Sequence, residues 1–428
     1  MKIVCATFGS LGDLHPYIAV AQELKRRGHI PSIATFAEYR EAVEAAGIDF
    51  ASMRPDTGRF GDKAAMTRRL IDPWRGPELI VRELFMPHLA ESYDDLERAC
   101  AGADLLVTHP LAFAGPLLAQ KRGLRWASTA LSPMTLFSAI DPPLFPGAEW
   151  MRWARRLGVA PYRWAFGIPR AIVRRWERPL RAFRAGLGLP PTDAIAQFEG
   201  QFSPRLHLAL FSGMLAAPQP DWPPGTVVCG FPSYDGEPPD PPTRARLDEF
   251  LASGEPPIVF GLGSTAVMVA GNFWREAIAA TEELGRRAIL LTGGAGDTGA
   301  VPPSIAVFDY LPYSAVFPRT AAIVHSGGIG TLAQALSAAR PQLITPVAFD
   351  QPDNARRAAG LGLARVLPFE KATARALARE LAIVMGEPAY ARRAREVGNA
   401  LSREDGARAA AAALERALNF SSDGGSIS

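Results

Sequence analysis

The chain has 428 residues, roughly two to three typical domains. Its apolar (48%) and charged (21%) fractions are those of a globular protein, which excludes global disorder, collagen and coiled coil. With 46 Lys and Arg against 43 Asp and Glu, the net charge of +3 is too balanced for a dedicated nucleic-acid binder, so no nucleic-acid partner is expected.

Cys5, Cys100 and Cys229 form no CxxC and no close Cys/His pairing, so no disulfide framework and no metal site are expected. The opening MKIVCATFGSLGDLHP is too short for a signal-peptide core. No run reaches the roughly 18 apolar residues of a membrane span. The expectation is a cytoplasmic protein, peripheral at the inner face of a membrane at most.

The first half alternates strands and helices. Residues 2–7 are a short apolar run, the pattern of a strand buried on both faces. A glycine-rich turn follows at 9–13. From 16 to 27, Tyr17, Ile18, Val20, Ala21 and Leu24 recur at helical spacing, and Arg26, Arg27, Gly28 and His29 supply a stop. Residues 30–35 read as a strand and 37–46 as a helix closed by Gly47. This is a βαβ unit, and parallel strands need such crossovers, so the half is predicted to be an open doubly wound sheet. A strand ending in His109 then leads into a small-residue helix at 114–120 and a strand at 125–129.

Residues 150–186 break the pattern. They carry ten arginines, the single acid Glu177, and Trp150, Trp153, Trp164 and Trp176. Such a stretch suits an anionic membrane surface, an acidic amphiphile, or a solvated helical face over packed tryptophans. Nine prolines crowd 218–242, a density that reads as an ordered interdomain connector.

The second half restarts the same grammar. A strand at 256–261 is followed by Gly263-Ser264-Thr265, a helix at 272–284 and a strand at 288–292. The strand 321–325 ends in His325, and Gly327-Gly328-Ile329-Gly330 turns into a helix at 331–339 before a strand at 342–346. The predicted fold class is α/β, with two doubly wound Rossmann-like domains facing across a cleft. The first spans 1–217 with 150–186 as a basic insertion, 218–242 links, and 243–405 forms the second. Residues 406–428 add a helix, packed back across the boundary, and a disordered tail. His109 and His325 stand at matching strand-to-helix corners, as an ancient duplication would leave them.

The strongest constellation is His325-Ser326-Gly327-Gly328-Ile329-Gly330-Thr331, then Pro341, Pro346, Asp350-Gln351 and Asn354. Glycines let the backbone approach a ligand closely, and a helix start offers unpaired N–H groups and partial positive charge, which together bind a phosphate. No GK[ST] follows, so this is not a Walker loop. Polar groups placed beyond a pyrophosphate site suit sugar hydroxyls.

This pattern resembles the donor-binding signature of family 1 nucleotide-sugar glycosyltransferases, which have the GT-B fold. Gly9-Ser10-Leu11-Gly12-Asp13-Leu14-His15-Pro16 resembles the first acceptor-domain loop of bacterial members, and Phe260-Gly261-Leu262-Gly263-Ser264-Thr265 their second-domain opening loop. Within the family the likeness is to the rhamnosyltransferase of rhamnolipid synthesis and to enzymes acting on lipids, sterols and antibiotic aglycones.

The resemblance implies that His325, Gly327, Gly328, Gly330 and Thr331 hold the diphosphate of a UDP- or dTDP-sugar, with Ser264 contacting it from the facing loop. Asp350 and Gln351 would bond the sugar, and Tyr310 would stack on the base. A glutamate that plant relatives carry eight residues after the histidine is Ala333 here, which tilts the reading towards a thymidine donor, although Gln334 could compensate. Their first-loop catalytic histidine is replaced by Asp13, as in bacterial members. His15 reads as a helix-start residue.

A positioned carboxylate can take the proton of an attacking hydroxyl. Asp13 is therefore the expected base, with His109 orienting it or sharing its proton; a helix N-cap is its alternative role. Transfer is expected to be an inverting single displacement, independent of metal and without a cofactor. The acceptor is expected to be apolar or amphipathic, lipid or hydroxy fatty acid first and polyketide or other aglycone second. Its pocket would draw on Ser10, Phe113, Met134 and Phe137, with Leu131, Leu136 and Phe145 beside them. Two further readings stay open, a nucleotide-sugar epimerase on the same fold and a non-catalytic sugar-nucleotide-binding partner. A NAD-dependent oxidoreductase lacks its GxGxxG spacing at Gly9–Gly12.

Overall fold

The computed structural model describes residues 1–56, 62–148, 150–294 and 298–419. Two all-parallel sheets organise it. The first contains β1 (Lys2–Ala6), β2 (Ile30–Thr35), β3 (Asp49–Ser52), β4 (Leu105–Thr108), β5 (Arg125–Ala130), β6 (His207–Ala209) and β7 (Thr226–Val228), in the order β3-β2-β1-β4-β5-β6-β7. The second contains β8 (Ile258–Gly261), β9 (Ala288–Leu291), β10 (Ile305–Phe308), β11 (Ala322–His325), β12 (Gln342–Ile344) and β13 (Ala364–Val366), in the order β10-β9-β8-β11-β12-β13. Central strands β4, β8 and β11 are buried at every residue, as helices on both faces require.

In each sheet the chain winds outward from its first strand and then jumps back to that strand's other side. The β1/β4 and β8/β11 pairs are therefore topological switch points, where the loops beyond the carboxyl ends diverge and leave a crevice for ligands. Asp13 and His109 stand just beyond the carboxyl ends of β1 and β4, Ser264 beyond that of β8, and the run 325–331 starts at the last residue of β11.

The first helix is Leu11–Arg26, five residues longer at its start than the apolar spacing predicts. A capping box explains this. The Ser10 side chain accepts from Gly12 N–H, while Asp13 answers to the Ser10 backbone. Pro16 lies inside the helix, where it leaves the carbonyl of Gly12 without its usual donor. The proline-rich stretch 218–242 is not connector throughout. Residues 226–228 form the edge strand β7, a position that tolerates flanking prolines. The crossing to the second sheet is left to the residues between Val228 and the helix Pro241–Ala252.

The C-terminal helix Gly406–Asn419 packs back on the first domain. Arg27 and His29 bond Glu415 at 2.7 and 3.0 Å. One apolar cluster joins both halves, with Leu14 and Ile18 from the first helix, Ile329, Leu332 and Leu336 from the second domain, and Leu414 and Leu418 from the last helix. The tail at 421–426 lies outside the described residues. All three cysteines are free, and burial pushes each thiol up to about 12, so none is a nucleophile near neutral pH.

Candidate active site between the two switch points

Asp13 occupies the third position of its helix, which aims its carboxylate back over the loop. Oδ2 accepts from Ser10 N–H at 2.7 Å and Ser10 Oγ–H at 3.1 Å. Oδ1 faces His109 Nε2 at 3.5 Å, an electrostatic contact longer than a normal hydrogen bond. His109 Nδ1 accepts the N–H of Leu111 at 3.2 Å, which puts the neutral ring's proton on Nε2, towards Asp13. The His109 side chain is buried and Asp13 remains 31% exposed. Thus Asp13 is both a capping residue and a carboxylate open to the cleft. His15 turns elsewhere, its ring edge-on to Tyr234 at 5.1 Å.

The loop after β11 repeats this corner. His325 Nδ1 accepts the N–H of Gly327 at 3.1 Å, the same two-residue reach. Its Nε2 donates to Gln342 Oε1 at 3.0 Å, and the residue is 0% exposed. Burial lowers its pKa to about 4, so the ring is neutral. A direct bond from this imidazole to a phosphate, as the motif suggests, does not fit the geometry, because both nitrogens are engaged away from solvent. His325 shapes the loop instead. The partner, Gln342, gave no signal in the sequence, because only the β11–β12 pairing brings it close.

Gly327 has φ +86°, and a Cβ there would lie 2.9 Å from Ile344 Cγ2 and 3.2 Å from the Gln351 carbonyl oxygen. Only glycine fits. Gly328 then stands at the N-cap of the helix Ile329–Ser337 without a side chain to cap it. The N–H groups of Ile329, Gly330 and Thr331 have no acceptor within that helix. Thr331 Oγ1 lies 3.4 Å from Tyr313 Oη and faces the β8 loop, where a Cβ on Gly263 would come within 3.3 Å of it. Ser264, the next residue, is exposed on the first turn of the short helix Gly263–Ala266. The two loops therefore flank one N-terminal helix end.

Asp350 follows Phe349, whose φ of +57° is a strained left-handed conformation for a non-glycine residue. Its Oδ2 accepts from Asn354 Nδ2 at 2.8 Å. Burial raises the Asp350 carboxyl to about 7 against that hydrogen bond, and the Asp13 carboxylate adds to the rise. The two carboxylates thus feel each other across the cleft. Asn354 also donates to the Gly327 carbonyl at 3.0 Å, tying this turn to the glycine loop. Gln351 Oε1 is consumed by the N–H groups of Val347 and Ala348 at 2.8 and 3.2 Å, so only its NH2 is left for a ligand.

Tyr310 is half exposed and donates to the Asp235 carbonyl at 3.0 Å. The Asp235 carboxylate in turn accepts from the N–H groups of Tyr313 and Ser314 at 3.1 and 3.0 Å, so the connector is stitched to this loop.

The residues expected to line an acceptor pocket are not brought together. Ser10 belongs to the Asp13 capping box. Phe113 is buried edge-on against Phe85 and lines a cavity of about 80 Å³ shared with His109, Leu117, Leu180 and Gln201. Phe137 belongs to a different cluster, with Phe145, Phe166 and Phe198 at 6.1, 5.9 and 4.8 Å, and Met134 lies on the half-buried turn before it. Among the described residues no cluster of three or more His, Cys, Asp or Glu could hold a metal ion.

The halves meet directly at this site. A Cβ on Gly330 would sit 3.4 Å from Gly12 Cα. Arg357, nearly buried, bonds both Asp141 of the first domain and Asp353, and Asp353 Oδ1 accepts the N–H of Leu144 at 3.0 Å. These contacts fix the first-domain loop 141–144 to the helix Gln351–Gly360. Neither tie has a local sequence signature.

Residues 282–413 match the family model described as Erythromycin biosynthesis protein CIII-like, C-terminal domain, and residues 3–81 match Glycosyltransferase family 28 N-terminal domain. The chain is 33% identical over 427 residues to O-mycaminosyltylonolide 6-deoxyallosyltransferase of Streptomyces fradiae, covering 97% of each protein. It is 29% identical to a sterol 3-beta-glucosyltransferase of Cryptococcus neoformans, over 98% of this chain but 27% of that protein. In fold it is similar to the calicheamicin glycosyltransferase CalG4 (TM-score 0.71, 18% identity, 99% of each chain). It is also similar in fold to the spinosyn rhamnosyltransferase SpnG complexed with thymidine diphosphate (TM-score 0.68, 20% identity, 97% of this chain and 100% of that one). With two sheets of this topology and a relative that is similar along its whole length, the chain belongs to the GT-B nucleotide-sugar glycosyltransferases.

Proposed function

We propose that this glycosyltransferase moves a hexose or deoxyhexose from a thymidine diphosphate donor to a hydroxyl of an apolar, polyketide-type aglycone, with inversion at the anomeric carbon and without a metal or cofactor. One observation carries the reading. The uncapped helix start at Gly328–Thr331 stands against the loop of Asp13, with Gly12 and Gly330 in near contact. A diphosphate held by those N–H groups would place its sugar between Asp350 and the Asp13 carboxylate.

In that arrangement Asp13 takes the proton of the acceptor hydroxyl as the oxygen attacks the anomeric carbon. The bond to the diphosphate breaks on the opposite face, and the electron pair leaves with the phosphate. Three N–H groups, the helix dipole and Thr331 meet that charge as it develops. The His109 Nε2–H faces the Asp13 oxygen that is not used for capping and holds it in place. The Asp350 carboxyl, pushed up to about 7 by burial, and the Gln351 NH2 suit sugar hydroxyls. Tyr310 stays the candidate for the base.

The aglycone class rests on the whole-length Streptomyces fradiae relative, and the thymidine donor on Ala333. A lipid acceptor is the second choice, and the sterol 3-beta-glucosyltransferase likeness favours keeping it.

The test is product analysis. The enzyme is given matched thymidine and uridine diphosphate sugars, a macrolide alcohol or a hydroxy fatty acid, and a chelator in half the reactions. Faster transfer from the thymidine donor to the macrolide, an inverted linkage and indifference to chelator are expected. A retained configuration or loss of activity with chelator would contradict the mechanism. An epimerised donor formed without acceptor would replace the transferase reading by an epimerase.

A further inference from the structure

The helix Val159–Trp176 in the arginine-rich segment has two unlike faces. Its inner face carries Tyr162, Ala165, Phe166 and Val173, with Phe166 in the aromatic cluster of Phe137, Phe145 and Phe198. Its outer face would ordinarily be polar. Here Ala160, Pro161, Trp164, Gly167, Ile168, Ala171 and Ile172 recur at helical spacing, and all are exposed. Trp164 is 80% exposed, and Leu157 and Trp153, just before the helix, are 79% and 66% exposed.

Charge frames this stripe. Arg163, Arg170 and Arg174 run along one flank, paired with Asp221, Glu199 and Asp193. Arg156 lies over the Trp153 ring at 4.3 Å. Arg156, Arg175 and Arg178 have no acidic partner among the described residues and cluster at the two ends of the stripe.

We infer that this face is an interfacial docking surface for an anionic lipid bilayer. The helix would lie in the membrane plane, with Trp164, Ile168 and Ile172 in the headgroup–acyl boundary and the unpaired arginines on lipid phosphates. An apolar stripe about 20 Å long, with exposed tryptophans and cations at its rim, has the chemistry of that boundary. An acidic protein partner would satisfy the arginines but leave the length of the apolar stripe to be explained. No helix among the described residues is long and apolar enough to cross a membrane, so the contact is one of lying on the surface. Docking there would bring the aromatic cluster to within about one helix diameter, roughly 10 Å, of the bilayer.

The experiment is co-sedimentation of the full chain, without donor or acceptor, with phosphatidylcholine vesicles that either lack or contain about one third phosphatidylglycerol. Binding to the anionic vesicles alone is expected, weakened when salt rises from about 0.1 M to about 1 M. Trp164→Ala and the pair Arg175→Glu with Arg178→Glu should each weaken it roughly tenfold or more. The changed side chains are exposed, so transfer to a soluble acceptor serves as the folding control. No binding, equal binding to neutral vesicles, or unchanged binding by both variants would overturn the inference. A dimer in sedimentation equilibrium that Trp164→Ala dissolves, with no vesicle binding, would give the stripe to a second copy of the chain. None of these outcomes bears on the transferase reading, because donor and acceptor are absent from the assay.

Discussion

Replacing Asp13 by Asn separates the two roles its carboxylate plays. Oδ2 caps the helix from Ser10 N–H at 2.7 Å, and an asparagine oxygen can keep that bond, so stability should fall by no more than about 1 kcal/mol. The other oxygen becomes an NH2. It then faces the Nε2–H of His109 at about the present 3.5 Å, donor against donor, and it cannot take a proton. The lost base function corresponds to roughly 10²–10⁴ in rate, or about 3–5 kcal/mol of barrier. The donor helix start is untouched, so donor affinity should change little. Single-turnover transfer at saturating donor and acceptor reads the chemical step, and titration calorimetry with nucleoside diphosphate reads the affinity. A variant that transfers within tenfold of the native rate would refute the assignment of Asp13 as base. An equal loss in rate and in diphosphate affinity would show that the loop, not the carboxylate, had been damaged.

Gly327→Ala should cost about 2 kcal/mol or more from the positive φ alone and push into Ile344 and Gln351, so a lower Tm together with a raised donor KM is expected in melting and steady-state assays. Gln342→Leu leaves the buried His325 Nε2–H without an acceptor, about 1–3 kcal/mol of stability, with the donor loop loosened; an unchanged Tm would contradict the tautomer described here. Burial holds His325 at about 4 and His207 at about 3, both below their unfolded value. The unfolded chain therefore binds more protons below pH ~6.5, and the stability these rings contribute, full above that pH, is lost as pH falls. Denaturant titrations should show about 3 kcal/mol less stability at about pH 5.5 than at about pH 7.5 from the two rings together; no fall would contradict the buried neutral pair.

The sheet pattern was readable because short, wholly apolar runs between glycine turns leave few other folds, and the two histidine corners are local motifs. The start of the first helix was readable too in Ser10 and Asp13, three residues apart, but Pro16 suggested a later one. β7 was hidden because an edge strand of three residues survives among prolines that would break a central one. The burial of His325 was not readable, because its acceptor lies 17 residues away on a neighbouring strand. The same holds for Arg357 and Asp141, 216 residues apart, whose contact exists only once the two domains are assembled. Phe113 and Phe137 illustrate the converse. Both are apolar residues near the cleft in sequence order, and only packing assigns them to separate clusters.

The central claim is that the helix start after β11 cups the diphosphate of a sugar nucleotide opposite Asp13. A crystal of this enzyme soaked with thymidine diphosphate tests it most directly. Phosphate oxygens are expected within hydrogen-bond distance of the N–H groups of Ile329, Gly330 and Thr331, with His325 still bonded to Gln342. Diphosphate bound elsewhere, with that helix end facing only solvent, would contradict it.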